Sequence, residues 1–229
     1  MNSSLSEEMA MLNDNVIDLS KTFKNIDKFK QLMCWYGCAI REVRTKLEVL
    51  NDDFQYSHSR NPIDNIKSRI KSPKSIYEKL IRRGYEVSTE SILENLHDVA
   101  GIRVICPFVD DIYTVAAMLT AQDDIKVVQV KDYIKNPKPN GYRSLHLVVE
   151  VPIFLSAGKK IIKVEVQIRT IAMNFWASLE HQIHYKKSQE NVDDVVAQLT
   201  ECANVIYETD VKMQQIRKNL EAQGKLQME

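Results

Sequence analysis

Three runs rich in β-branched residues, Ile125–Tyr133, Leu145–Val151 and Ile161–Arg169, constrain this chain more than any other feature, since such runs read as strands. Ser156-Ala157-Gly158-Lys159 lies between the last two as a hairpin connection. Strand side chains alternate between faces. Val164, Val166 and Ile168 therefore share one face, and Glu165, Gln167 and Arg169 share the other. By the same rule Tyr142, Ser144 and His146 lie on one side. A solvated strand face is the simpler explanation of such polarity. Here, however, the polar side carries a carboxylate, an amide, a guanidinium, an imidazole and a phenol instead of the usual Lys/Thr/Ser mixture. If the strands pair through the hairpin, both polar sets line one surface.

Helical periodicity frames these strands. Phe29, Leu32, Met33, Tyr36, Ile40, Val43, Leu47 and Leu50 recur at helical spacing over 29–52, ended by Asn51-Asp52-Asp53 and followed by a linker at Tyr56–Asn61. Ser72-Pro73 has the form of an N-cap followed by proline at the first helical position, and Gly84 closes that helix, predicted over 73–83. A short helix at 88–97, a strand Ile102–Cys106 and a helix at 110–122 follow. Two further helices are predicted at 171–187 and 192–221. The expected class is α+β, a central mixed sheet flanked by helices. Its expected divisions are a flexible or loosely helical segment 1–28, a core domain 29–187 and a C-terminal helical extension 188–229 suited to oligomerisation.

Composition narrows the function classes. Lys plus Arg and Asp plus Glu number 31 each among 229 residues. There is thus no global positive field for non-specific nucleic-acid binding, and no obligatory nucleic-acid partner is expected. No run of about 18 apolar residues and no secretory signal pattern is seen, so a cytoplasmic protein without membrane attachment is expected. Cys34, Cys38, Cys106 and Cys202 lack paired C-x-x-C spacing and read as four buried or half-buried thiols.

The remaining motifs point to phosphates. Lys71, Ser75 and Lys79 stand at i, i+4, i+8 across a helix start, with Arg69 just upstream, where backbone N–H groups add to the preference for anions. Asp98 precedes the strand bearing Arg103. Alone it reads as a helix-end cap or salt-bridge partner; a fold that brought it to Glu165 would form a carboxylate pair of the kind Mg²⁺ takes beside substrate phosphates. The loop Lys131–His146 gathers cations and aromatic rings around Pro137, Pro139 and Gly141. Trp176, Glu180 and His184 read as core and helix surface, and Glu180-His181-Gln182-Ile183-His184 lacks the order of a zinc protease.

These motifs resemble the synthetase domain of the RelA/SpoT family, and over nearly the whole chain a stand-alone small alarmone synthetase. The matching stretches are Arg69–Lys79, His97-Asp98-Val99-Ala100-Gly101-Ile102-Arg103, Lys131–His146 and Glu165-Val166-Gln167-Ile168-Arg169-Thr170. The resemblance implies a nucleotidyltransferase-like fold and transfer of pyrophosphate from ATP to the 3′-hydroxyl of GDP or GTP, giving AMP and ppGpp or pppGpp. It implies that Arg69 and Arg103 sandwich adenine, that Lys71, Ser75 and Lys79 hold the ATP phosphates, and that Asp98 and Glu165 ligate Mg²⁺ or activate the hydroxyl. Tyr142 would stack on guanine, with Lys131, Lys138, Asn140 and His146 around the acceptor and Gln167 and Arg169 in support. A homotetramer is implied as well. The family's hydrolase activity is not expected, because His58 is the sole histidine ahead of Arg69. Asn65 stands where one subgroup has a phenylalanine that binds pppGpp. Together with Asn61-Pro62-Ile63 and Asp52-Asp53-Phe54, this points to the RelP-like subgroup rather than the RelQ-like one.

Overall fold

The computed structural model describes residues 26–58, 60–185 and 192–223; the expected N-terminal segment 1–28 lies almost wholly outside them. The element order is α1 (Ile26–His58), β1 (Asn65–Ile70), α2 (Pro73–Arg82), α3 (Thr89–Asn95), β2 (Ala100–Cys106), α4 (Val109–Thr120), β3 (Lys126–Asp132), β4 (Leu145–Leu155), β5 (Gly158–Thr170), α5 (Ile171–Tyr185) and α6 (Val192–Ala222). The class is α+β, as expected. The five strands form one sheet in the order β1-β2-β5-β4-β3, mixed because β2 and β5 run parallel while the other pairs are antiparallel.

The predicted hairpin is present: β4 and β5 pair from Leu145↔Ile168 out to Leu155↔Gly158, and Gly158 takes φ 114°, which a side chain would strain. The helix punctuation also reads correctly. The Ser72 hydroxyl accepts from the Ser75 N–H at 3.3 Å. At the other end Gly84, at φ 72°, donates to Ile81 O and Tyr85 to Leu80 O, the paired bonds of a Schellman cap.

Two local expectations fail. Helix α1 does not stop at Asn51-Asp52-Asp53. The Asn51 side chain accepts from the Ile63 N–H at 3.1 Å instead of breaking the helix, and Phe54, one turn on, is buried and stacks on His58. Strand β1 was not foreseen at all, since Asn-Ile-Lys-Ser-Arg-Ile has too few apolar residues to signal a strand; at the sheet edge it needs only to pair with β2.

One face of the sheet is the core. Ile102, Val104, Leu147, Val149, Val151, Val164, Val166 and Ile168 are buried there. The α1 stripe of Phe29, Leu32, Tyr36, Val43 and Leu47 is likewise buried, and α1 packs on four of the strands and on α4. At ~25 cal/mol per Å² of apolar surface removed from water, each such side chain contributes roughly 1.5–3 kcal/mol. The opposite face carries the polar set.

Candidate active site

Strand register assembles this face. Lys67, Arg103, Gln167, His146 and Lys131 are successive cross-strand partners from β1 through β2, β5 and β4 to β3. The adjoining row holds Arg69, Gly101 and Glu165. The Arg69 stem passes over Gly101, its Cγ and carbonyl oxygen 3.8 Å from where a Cβ would sit, ordinary contact distance.

Five of the expected residues close a ring of hydrogen bonds. His146 Nδ1 lies 3.3 Å from Glu165 Oε1, His146 Nε2 lies 2.8 Å from the Tyr142 hydroxyl, and Arg169 donates to both Tyr142 Oη and Gln167 Oε1. Gln167 Nε2 completes the circuit by donating to Glu165 Oε2 at 2.9 Å. A carboxylate only accepts, so Nδ1 of His146 carries a proton. In the neutral imidazole Nε2 then accepts from Tyr142. Every group in the ring finds a partner on those terms. Burial opposes the charge of Glu165, but the bonds from His146 and Gln167 outweigh it, and its carboxyl titrates below the ordinary glutamate value. Glu165 is therefore ionised at neutral pH.

Asp98 forms the second cluster. Lys71 Nζ donates to Oδ2 at 2.6 Å and Lys79 Nζ stands 2.6 Å from Oδ1. Burial raises the Asp98 pKa, but the two ammonium groups more than reverse this and hold it at about 2. Lys79 is itself pushed down by its burial, against the pull of Asp98. The Asp98 charge reaches Glu165, where it opposes ionisation. Both carboxylates thus share one locality while ionised, an arrangement that suits a hard divalent cation. Among the described residues no three His, Cys, Asp or Glu side chains gather at metal-binding spacing. A cation here would complete its shell from phosphate and water oxygens.

Arg103 stands beside the ring, opposite Gln167 across β2 and β5. Burial lowers its pKa first, then the charges of Arg169 and Arg69, and its Nε is buried without a hydrogen-bond partner. Three guanidinium groups gathered in this way favour an anionic or π-rich ligand.

Other expected residues sit differently. Asn140 shapes its own loop, accepting from the Tyr142 N–H at 3.2 Å and donating to Glu180 at 3.4 Å. Ser75 is engaged by Ser72 Oγ at 2.9 Å. The Lys138 ammonium stands over the rings of Tyr142 and Tyr133, 4.7 and 4.9 Å from their centroids, and so occupies the aromatic surface expected to stack on guanine. Lys131 is exposed on the edge strand. Trp176 is core, as read, its Nε1 bonded to Leu199 O at 2.9 Å; the His184 side chain lies outside the described residues. Cys34 and Cys202 are exposed, contrary to expectation.

Sequence reasoning missed three contributors. Tyr36 is buried on α1 with its hydroxyl raised by burial and by Asp98, so it lies near the Asp98 cluster. Lys67 joins the cross-strand row only once β1 is recognised. Ser144, on the predicted polar face, is wholly buried and ties the approach to β4 onto β5, donating to Ile168 O at 3.1 Å and accepting from Arg169 at 3.4 Å.

This fold and site define a RelA/SpoT-type synthetase domain. Residues 68–190 match the model of the region found in RelA / SpoT proteins, and the chain belongs to that family. It is 42% identical to the GTP pyrophosphokinase YwaC of Bacillus subtilis, over 90% of this chain and 100% of that protein. The crystal structure of small alarmone synthetase 2 from B. subtilis matches with a TM-score of 0.75 and 43% identity, covering 83% of this chain and 98% of that one. That of small alarmone synthetase 1 from the same organism, bound to its product pppGpp, matches with a TM-score of 0.76 and 37% identity, covering 87% and 98%.

Proposed function

We propose that this protein is a (p)ppGpp synthetase that transfers pyrophosphate from ATP to the 3′-hydroxyl of GDP or GTP, releasing AMP. The observation that carries this reading is the ionised Glu165, held by His146 and Gln167 next to the Asp98, Lys71 and Lys79 cluster. It sets a base beside a phosphate clamp. Such a transfer depends on in-line placement and charge neutralisation more than on covalent catalysis.

In this account Arg69 and Arg103 hold adenine by stacking, and Lys71, Ser75 and Lys79 take the ATP phosphates. Tyr142 stacks on guanine once Lys138 has left its ring for the acceptor's phosphates, with Lys131, Asn140 and His146 around that nucleotide. Glu165 accepts the proton of the 3′-hydroxyl, and Gln167 and Arg169 keep its carboxylate aimed. Asp98 and Glu165 would hold Mg²⁺, which supplies charge neutralisation on the triphosphate when bound.

The same reading covers location and assembly. The proposed location is the cytoplasm; among the described residues no helix is long and apolar enough to cross a membrane. The exposed row Ile171, Phe175, Leu179 and Ile183 on α5, with Val205, Met213 and Ile216 on α6, is apolar surface suited to a homotetramer. Incubation with ATP, Mg²⁺ and each guanine nucleotide, with products identified by mass, tests the reaction. AMP with a 3′-pyrophosphorylated guanosine nucleotide supports it; unchanged guanine nucleotide overturns it.

A further inference from the structure

Helix α6 packs with its polar side inward. Thr200, Ala203, Tyr207, Asp210, Gln214 and Arg217 recur at alternating spacings of three and four residues, one stripe of a helix. Ala203, Asp210 and Arg217 of that stripe are buried, whereas Val205, Met213 and Ile216 are exposed. Each stripe residue has a defined neighbour. At the far end Gln214 accepts from the Asp110 N–H at 2.9 Å and Arg217 pairs with the Asp110 carboxylate, which fastens α6 to the start of α4. In the middle Asp210 accepts from the Thr170 hydroxyl at 2.6 Å. The near end meets the loop that carries Tyr142.

That meeting is close. Thr200 Oγ1 lies 3.3 Å from Pro139 O, sharing its one proton with Val196 O at 2.8 Å. Gly141 is buried at φ 84°, and a Cβ there would come within 2.6 Å of Ala203 Cβ and 3.2 Å of Thr200 Cα. Arg143 stacks its guanidinium 4.5 Å from the Tyr207 ring centroid, donates to Asn204 Oδ1 at 3.3 Å and turns back to Gly141 O at 3.2 Å. Tyr142 is thus bracketed in sequence by two residues that grip α6, while its own hydroxyl faces His146 and Arg169.

We infer that α6 is a positioning element of the acceptor-nucleotide site, and that the Arg143–Tyr207 stack, backed by the Gly141–Ala203 contact, is the latch that fixes the Tyr142 ring. This rests on the proposed function, since it assigns the latch to the guanine nucleotide's side of that reaction. ATP is gripped elsewhere, by side chains of β1, β2, α2 and the segments joining them, so the latch acts on one substrate and not the other. Arg143 and Tyr207 are positioning residues and touch neither nucleotide.

The test is steady-state kinetics with ATP and GDP varied separately, for wild type, Tyr207→Leu, Tyr207→Phe, Arg143→Gln and the Arg143→Gln/Tyr207→Leu double variant, each checked by circular dichroism and thermal unfolding. Tyr207→Leu should raise the KM for GDP roughly three- to tenfold, within the span a cation–ring contact sustains, with the KM for ATP within roughly twofold of wild type. Tyr207→Phe keeps the ring face and should restore the GDP value. The double variant should be no worse than the weaker single one, because both changes remove one contact. Arg143→Gln keeps the question open to test if Tyr207→Leu does not fold. Equal rises in both KM values, or additive effects in the double variant, overturn the latch. A wild type that makes product beside a Tyr207→Leu variant with unchanged GDP kinetics overturns the latch alone. A wild type that makes no product overturns the functional reading and the latch with it.

Discussion

Replacing Asp98 by asparagine separates its hold on the lysines from its part in turnover. In the free protein the carboxylate pairs with both Lys71 and Lys79, each ammonium 2.6 Å from one of its oxygens, and the pairing takes its pKa from 3.8 to about 2. At 1.36 kcal/mol per pKa unit this is about 2 kcal/mol of stabilisation. The folded pKa lies below the unfolded one, so the stabilisation is fully present above pH 3.8 and is lost as pH falls through about 2. At pH 7 the variant should unfold roughly 4–8 °C lower than wild type, given ~2–4 °C per kcal/mol for a chain of this size. It should also leave both ammonium groups free. Metal-free ATP no longer competes with a carboxylate for them, so it should bind the variant up to ~30-fold more tightly, the equivalent of ~2 kcal/mol. Turnover with Mg²⁺ should be lost. Calorimetric titration of ATP in excess EDTA, beside a thermal melt at the same pH, reads both effects. Metal-free binding equal to or weaker than wild type would refute the idea that Asp98 restrains the two lysines.

Glu165→Gln should lower kcat by about 10²- to 10⁴-fold, the range for a lost general base, with ATP and GDP dissociation constants within roughly threefold of wild type; near-normal AMP release by the variant removes Glu165 from the mechanism. Asp210→Asn should be more stable than wild type at neutral pH. Burial raises the Asp210 pKa against the Thr170 bond; its charge is therefore a penalty that sets in as pH rises above the unfolded value of 3.8, and an amide oxygen still accepts from Thr170. Chemical denaturation at pH 7 and below pH 3.8 should show the gain at the former and none at the latter, and a variant less stable at pH 7 contradicts the reasoning.

What could be read in advance followed from local rules. β-branched runs, the Ser72-Pro73 start and the Gly84 stop each act within a few residues, and alternation alone put Glu165, Gln167 and Arg169 together. Strand order acts at longer range. Nothing near His146 shows that β4 lies beside β5 with Gln167 opposite it, so the closure of the five-residue ring emerges only from the sheet. Strand β1 was invisible because an edge strand exposed on much of its surface need not look apolar, and Lys67 was lost with it. Helix α6 hid its inner contacts in another way: its inward stripe is largely polar and is matched one residue at a time to partners 40 to 107 positions away, which helical periodicity of apolar residues does not reveal.

In the proposed reaction a pyrophosphoryl group moves as one unit. ATP labelled in both its β- and γ-phosphorus, incubated with the protein, Mg²⁺ and GDP, tests it directly. Both labels should appear together on the 3′-oxygen of the guanosine product, with AMP unlabelled. Label on the guanosine from the γ-phosphorus alone, or release of both as inorganic phosphate or pyrophosphate, would contradict it.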